Sequence, residues 1–300
     1  MELWIIFTFI AATAQTFRSA GQKKLKDKLN DFGASYVRFS YALPFAFLWL
    51  LFWEHYSEQN IPETNIIFWT WSIIGGIAQI VFTILLMMLF NHRNFAAGTA
   101  FSKTDILQAA IFEALIIGEI VSLQVGFGIL IGVFAVLLLS FQKSFNGLMN
   151  LSKSIISYQT FIGLTSGAFL GLSTVAFRAA TDSLETGDVI IRASTTATLS
   201  ILFQTIIMGL AIYIINKKQL LLTFVYWRQG LFVGFFAAIT TFCWFSAFSL
   251  KNVASARAVG QIELLITLAV SSLFFKERIT KTELLSIFLL AFSILLVIID

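Results

Sequence analysis

Long apolar runs separated by short polar clusters fill this chain from end to end. The runs fall at roughly 3–19, 34–53, 66–90, 95–117, 121–141, 157–178, 189–214, 229–249, 254–275 and 282–299. Each approaches the ~20 residues that a helix needs to cross the hydrocarbon core of a bilayer. The pattern predicts an all-α membrane protein with ten transmembrane helices and short connections. Helices are required because lipid offers no partners to open backbone groups. The stretch "ATAQ" at 12–15 resembles a signal-cleavage site, but no basic segment precedes it, so 3–19 is read as a span.

Composition agrees with lipid as the solvent. Hydrophobic residues make up 58% of the 300 positions and charged residues 12%, against about a quarter charged in a soluble domain. The net charge of +4 is scattered over helix ends, so nucleic acid is not an expected partner. The expected partners are membrane lipid and a small-molecule substrate. The single cysteine, Cys243, excludes an internal disulfide or a cysteine metal site, and His55 and His92 stand at helix ends. No metal, cofactor or catalytic group is expected, and the chain is not read as an enzyme. A membrane-embedded enzyme would need a cluster of His, Asp or Cys near an interface.

Charge also sets an expected orientation. Lys23, Lys24, Lys26 and Lys28 follow the first span, whereas Glu54, Glu58 and Glu63 follow the second. Arg93, Lys143, Lys153, Lys217, Lys218, Arg228, Lys276, Arg278 and Lys281 continue the alternation, and "TDSLETGD" at 181–188 is acidic. Basic connections favour the cytoplasm, so both termini are predicted outside it. The membrane expected is the plasma (inner) membrane.

The chain also repeats itself. "NFAAGTAFSKTDILQAAIFEALIIGEIVS" (94–122) lies without gaps on "NVASARAVGQIELLITLAVSSLFFKERIT" (252–280). Asn94 then meets Asn252, Asp105 meets Glu263, and Glu119 meets Glu277. Identities are few, but polar residues recur in register. "FRSA" (17–20) pairs with "FRAA" (177–180), and "RFS" (38–40) with "RAS" (192–194). Two halves follow, 1–145 and 150–300. A half with an odd number of spans, duplicated in tandem, inserts its second copy upside down. The expectation is two inverted five-helix repeats, an architecture that transporters use for alternating access. Glu119 and Glu277 fall in the turn between the fourth and fifth spans of each half. They are read as interfacial or helix-capping carboxylates rather than as chemistry.

Ionisable residues deep in a span usually face a cavity or a partner. The fourth span carries Lys103, Asp105, Gln108 and Glu113; the ninth carries Arg257, Gln261 and Glu263; the seventh carries Arg192 among several threonines. Lys103 and Asp105 lie ~13–17 Å into their span at the helical rise. They are ~200° apart around it, so one is expected to pair with Arg192 or another helix. Lys103, Asp105, Gln108, Arg192, Arg257, Gln261 and Glu263 are the candidate substrate-binding residues, and Asp105 and Glu263 the candidate proton carriers. Tyr41, Trp71 and Trp244 are candidate apolar walls. Arg18 and Arg178 are read as snorkelling from helix ends to the headgroups. Gly163, Gly167 and Gly171, at four-residue spacing, are read as a helix-packing signal.

The segment "FSAFSLKNVASARAVGQIELLITLAVSSLFFKERITKTELLSIFLLAFSILLVII" resembles the end of an EamA-type half in the drug/metabolite transporter superfamily. "KERIT" stands where that family has its Gly-Glu-Arg-Leu turn, "GEIVS" keeps the Gly-Glu, and "VRF" at 37–39 resembles the Arg-Phe opening the second span. The family's frequent fourth-span Pro is missing, with Ile106 and Leu264 near that place, and its first-span Trp-Gly is absent. Many members keep both termini in the cytoplasm, against the charge count here. The resemblance implies a secondary transporter of a small polar metabolite, often an exporter. Mixed cavity charge is compatible with a zwitterion such as an amino acid. The chain carries no Gly-rich phosphate loop for ATP. The alternative is a non-transporting membrane scaffold or receptor.

Overall fold

A computed structural model of the protein describes residues 2–89, 103–144, 158–266 and 281–300. The expected positions of His92, Arg93, Lys153, Lys276, Glu277 and Arg278 lie outside these residues. The described residues form helices without strands. In chain order they are α1 (Leu3–Leu25), α2 (Asp31–Ser40), α3 (Leu43–Ser57), α4 (Ile66–Leu89), α5 (Asp105–Ile116), α6 (Leu123–Ser144), α7 (Tyr158–Asp182), α8 (Val189–Val225), α9 (Trp227–Leu250), α10 (Val253–Val259) and α11 (Lys281–Ile299). Among the described residues, five stretches are long and apolar enough to cross a membrane: Asp31–Ser57, Ile66–Leu89, Thr160–Asp182, Val189–Val225 and Trp227–Leu250. Leu123–Leu138 and Leu284–Ile299 are shorter apolar helices. The protein is therefore an integral multi-pass membrane protein.

Short polar side chains start α2, α4, α6 and α8 by satisfying backbone N–H groups that have no partner within the helix. Asn30 Oδ1 accepts from Gly33 N at 2.9 Å, Asn65 Oδ1 from Phe68 N at 2.7 Å, and Asp188 Oδ1 from Ile191 N at 2.8 Å. Ser122 Oγ accepts from Val125 N at 3.2 Å and starts α6. Glycine ends α5: Gly118 takes φ +82, a left-handed conformation that costs glycine nothing.

Two expected spans are interrupted. The second breaks at Tyr41–Ala42, because Pro44 has no N–H to return to Ser40. Against this kink α9 approaches so closely that a Cβ on Gly234 would strike the Tyr41 backbone. The ninth breaks at Gly260–Gln261, where the chain tightens to three-residue bonds, Glu263 N to Gly260 O (3.2 Å) and Leu264 N to Gln261 O (2.9 Å). The fourth has a turn at Lys103–Thr104 before α5 begins. In the alignment of 94–122 on 252–280, Lys103 falls on Gln261, so this turn and the break at Gly260–Gln261 fall at corresponding positions.

The helices pack pairwise: α1 along α9, α4 along α7, α6 along α11, α2 and α3 against α8, and α5 against α7 and α10. Gly171 permits the α5–α7 approach, since a Cβ there would lie 3.0 Å from Ala109 N. Large side chains such as Leu48, Ile66, Leu123, Phe161, Ile214 and Phe288 face outward, as lipid requires.

Candidate functional site

A cavity of about 360 Å³ lies among α1, α2, α4, α9, α10 and the turn before α5. Its charged lining is Arg18, Lys23, Arg38, Lys103, Arg257 and Glu263. Trp244, Phe245 and Phe248 form an aromatic wall, and Thr240, Thr241, Gln15 and Gln79 add neutral polar groups.

Two turns, at Lys103–Thr104 and Gly260–Gln261, place the charges. Arg257, on the last turn of α10, and Glu263, just past Gly260–Gln261, both reach the cavity because the chain bends between them. Gly260 makes room for the Trp244 ring, which a Cβ would strike. Lys103, in the turn before α5, donates to Glu263 Oε1. Gln15 Nε2 donates to the other oxygen, Oε2, at 2.7 Å, and Trp244 Nε1 holds Gln15 Oε1 at 3.1 Å. Behind the lining, Arg257 Nε and Nη2 donate to Asp105 Oδ2 at 2.9 and 2.5 Å. The guanidinium also lies over the Trp244 ring, 4.9 Å from its centroid. Both oxygens of Glu263 and Oδ2 of Asp105 are thus committed to protein donors, while Asp105 Oδ1 is buried without a partner.

Of the residues singled out by sequence, Lys103, Arg257 and Glu263 line the cavity, and Asp105 supports Arg257 from behind. Gln108 turns the other way, with Nε2 on Thr104 Oγ1 (3.3 Å) and Leu164 O (3.4 Å). Gln261 is buried with Oε1 over Gly132 of α6. Arg192 bonds Leu184 O at 3.4 Å, away from the cavity, and neither Lys103 nor Asp105 pairs with it. Tyr41 donates to Thr223 O at 2.9 Å and Trp71 packs with Phe68 and Leu184, so of the expected walls only Trp244 is in place.

One cavity cation differs from its expected role. Arg18 does not snorkel. It is 4% exposed, and no hydrogen bond or ion pair reaches it from the described residues. The reason is that α1 continues to Leu25, past its apolar run, so Arg18 lies inside the bundle rather than at a helix end. Arg38, 6% exposed, donates to Thr83 Oγ1 at 2.9 Å and pairs with no carboxylate among the described residues. The pairing of "FRSA" with "FRAA" is the sequence signal that singles out Arg18.

Arg178, its counterpart in the FRSA/FRAA pairing, does not snorkel either. It donates to Glu113 Oε1 and, at 2.7 Å, to Glu119 Oε1, with Asp182 Oδ2 at 3.5 Å. Glu113 is fully buried and accepts from Val253 N (2.7 Å) and Ala254 N (3.2 Å), so it caps α10. Glu119 is thus structural, through Arg178 rather than through a cap on α6. This network ties α5, α7 and α10 together at the end of the bundle where the acidic 181–188 connection lies. The cavity instead reaches Ser19, Ala20 and Lys23, towards the basic connection after α1.

The model of the EamA-like transporter family matches residues 158–299. No curated protein matches the chain. One solved crystal structure overlays on 98% of this chain and 95% of its own, with a TM-score of 0.71 at 10% identity, which shows a shared fold.

Proposed function

We propose that this EamA-type membrane protein is a secondary transporter that carries a small polar metabolite by alternating access around the Arg18–Arg257–Glu263 cavity. The family match over 158–299 supports a transporter role. The observation that carries the mechanism is the break of the ninth span at Gly260–Gln261 beside one polar cavity, onto which Lys103 in the turn before α5 also opens. Discontinuous helices facing a central site are a recurrent transporter device.

Packing supports two inverted halves, 1–145 and 150–300. Exchanging the halves turns the α1–α9 contact into the α7–α4 contact. It turns the α6–α11, α5–α10 and α2/α3–α8 contacts into themselves. With basic connections in the cytoplasm, both termini lie outside and the cavity reaches the cytoplasmic end. The Arg178 network lies towards the opposite end, where it ties α5, α7 and α10 together. That is the state in which an exporter in the plasma membrane loads. Glu263, which reaches the cavity, is better placed than Asp105 to exchange a proton with cargo or water.

The test is flux. The purified protein in liposomes is screened by counterflow against amino acids, polyamines, sugars, nucleotides and organic acids. The reading expects accumulation of one class, lost in the double variant Lys103→Gln/Asp105→Asn. A compound that binds the cavity tightly but never crosses would sink it.

A further inference from the structure

The charge balance of the cavity identifies its cargo more narrowly than mixed polarity does. Four buried or half-buried cations, Arg18, Arg38, Lys103 and Arg257, share the site with two carboxylates, Asp105 and Glu263. The three guanidiniums lie within Coulombic reach of one another. Both oxygens of Glu263 already accept protein donors, and Asp105 is held by Arg257 behind the lining. Asp105 Oδ1 is unpaired but is not part of the lining, so little carboxylate acceptor capacity faces an incoming ammonium.

The donor side is the reverse. Arg18 has no partner among the described residues, and its Nε is buried and unsatisfied. Arg38 has one neutral hydroxyl partner. Burying an unpaired charge is costly unless something neutralises it. The planar guanidinium fork matches a carboxylate or phosphate.

We propose that the cavity binds a small organic anion, its carboxylate or phosphate held by Arg18 and Arg38 and its carbon body against Trp244, Phe245 and Phe248. This rests on the transporter reading above and narrows its cargo from a zwitterion to an acid.

The experiment uses the full chain in detergent, with thermal unfolding followed at fixed ionic strength. The probes are succinate, glycerol 3-phosphate, alanine and putrescine. Succinate or glycerol 3-phosphate is expected to raise the midpoint, and which one does so separates carboxylate from phosphate. Alanine and putrescine are expected to leave it unchanged. Arg18→Gln and Arg38→Gln should each weaken the response at least about tenfold, as loss of a charge-assisted bond does. Arg18→Lys, which keeps charge without the fork, should be intermediate, and Lys24→Gln should match wild type.

Without ligand, Arg18→Gln should melt no lower than wild type, because it removes an unpaired buried charge. Its lost response then cannot be blamed on misfolding. The proposal is overturned if neither anion shifts the midpoint, or if the shift survives both Arg18→Gln and Arg38→Gln. The two readings fail separately. Counterflow of alanine or putrescine without an anion response would keep a transporter and remove the anion site. Anion binding without counterflow would keep the site and remove the transporter.

Discussion

Arg257 holds Asp105 across the boundary between the two halves of the sequence, with Nε and Nη2 both donating to Oδ2 while Oδ1 is buried without a partner. Asp105 is 1% exposed and Arg257 7%. Removing one member strands the other charge, a loss of about 3–5 kcal/mol. Asp105→Ala and Arg257→Ala are therefore expected to lower the unfolding midpoint sharply. The apolar double variant Asp105→Leu/Arg257→Met should recover much of that loss, because neither charge is then stranded. A double-mutant cycle on detergent-purified protein measures this, and near-additive effects would contradict it.

Glu113 joins three elements at once. It receives Arg178 from α7 and the first two N–H groups of α10, and it sits on α5. Glu113→Ala is expected to cost about 3 kcal/mol or more, combining a lost cap with an unpaired buried arginine. Glu119→Ala removes a partner that is half exposed and should cost about 1 kcal/mol at most. Comparing the midpoints of the two variants checks the order. Equal losses would mean that Arg178 relies on both carboxylates alike.

Glycine substitutions separate close packing from open space. A Cβ at Gly234 would strike the Tyr41 backbone, which is part of the Pro44 kink and cannot swing aside. Gly234→Ala is expected to cost about 1–3 kcal/mol as an overpacked contact. At Gly126, on the first turn of α6, nothing lies within 4 Å of a new Cβ. Gly126→Ala should be neutral or stabilise by up to about 1 kcal/mol through helix propensity. Loss of stability at Gly126 equal to that at Gly234 would refute this account of the packing.

The sequence shows the all-helical membrane class plainly, because apolar runs have few other uses. It also singles out Lys103, Asp105, Arg257 and Glu263, since charges inside such runs need a reason to be there. Three things escape it. The helix face at the breaks is set by turns that the apolar pattern does not mark, so Gln108 and Gln261 point elsewhere than Lys103 and Arg257 do. The length of α1 is set by packing against α9 rather than by hydropathy, which conceals Arg18. Arg192 shares α8 with polar neighbours but lies on its first turn, where Nη1 bonds Leu184 O instead of facing the cavity.

The Lys103–Glu263 pair tests the sign of the cavity's charge. If an anion occupies the cavity, the two partners have opposite effects on its affinity. Glu263→Gln removes a repelling charge and releases Lys103 towards the ligand. Lys103→Gln removes an attracting charge and leaves Glu263 with Gln15. At a separation of several ångströms and an effective dielectric near 20, one charge contributes roughly 2 kcal/mol before screening. The expected changes are a gain of several-fold in anion affinity for Glu263→Gln and a comparable loss for Lys103→Gln. Titration of the purified variants with succinate or glycerol 3-phosphate measures both. If the two substitutions weaken binding equally, the pair acts as a clamp between α5 and the broken ninth span, and its charges do not select the cargo.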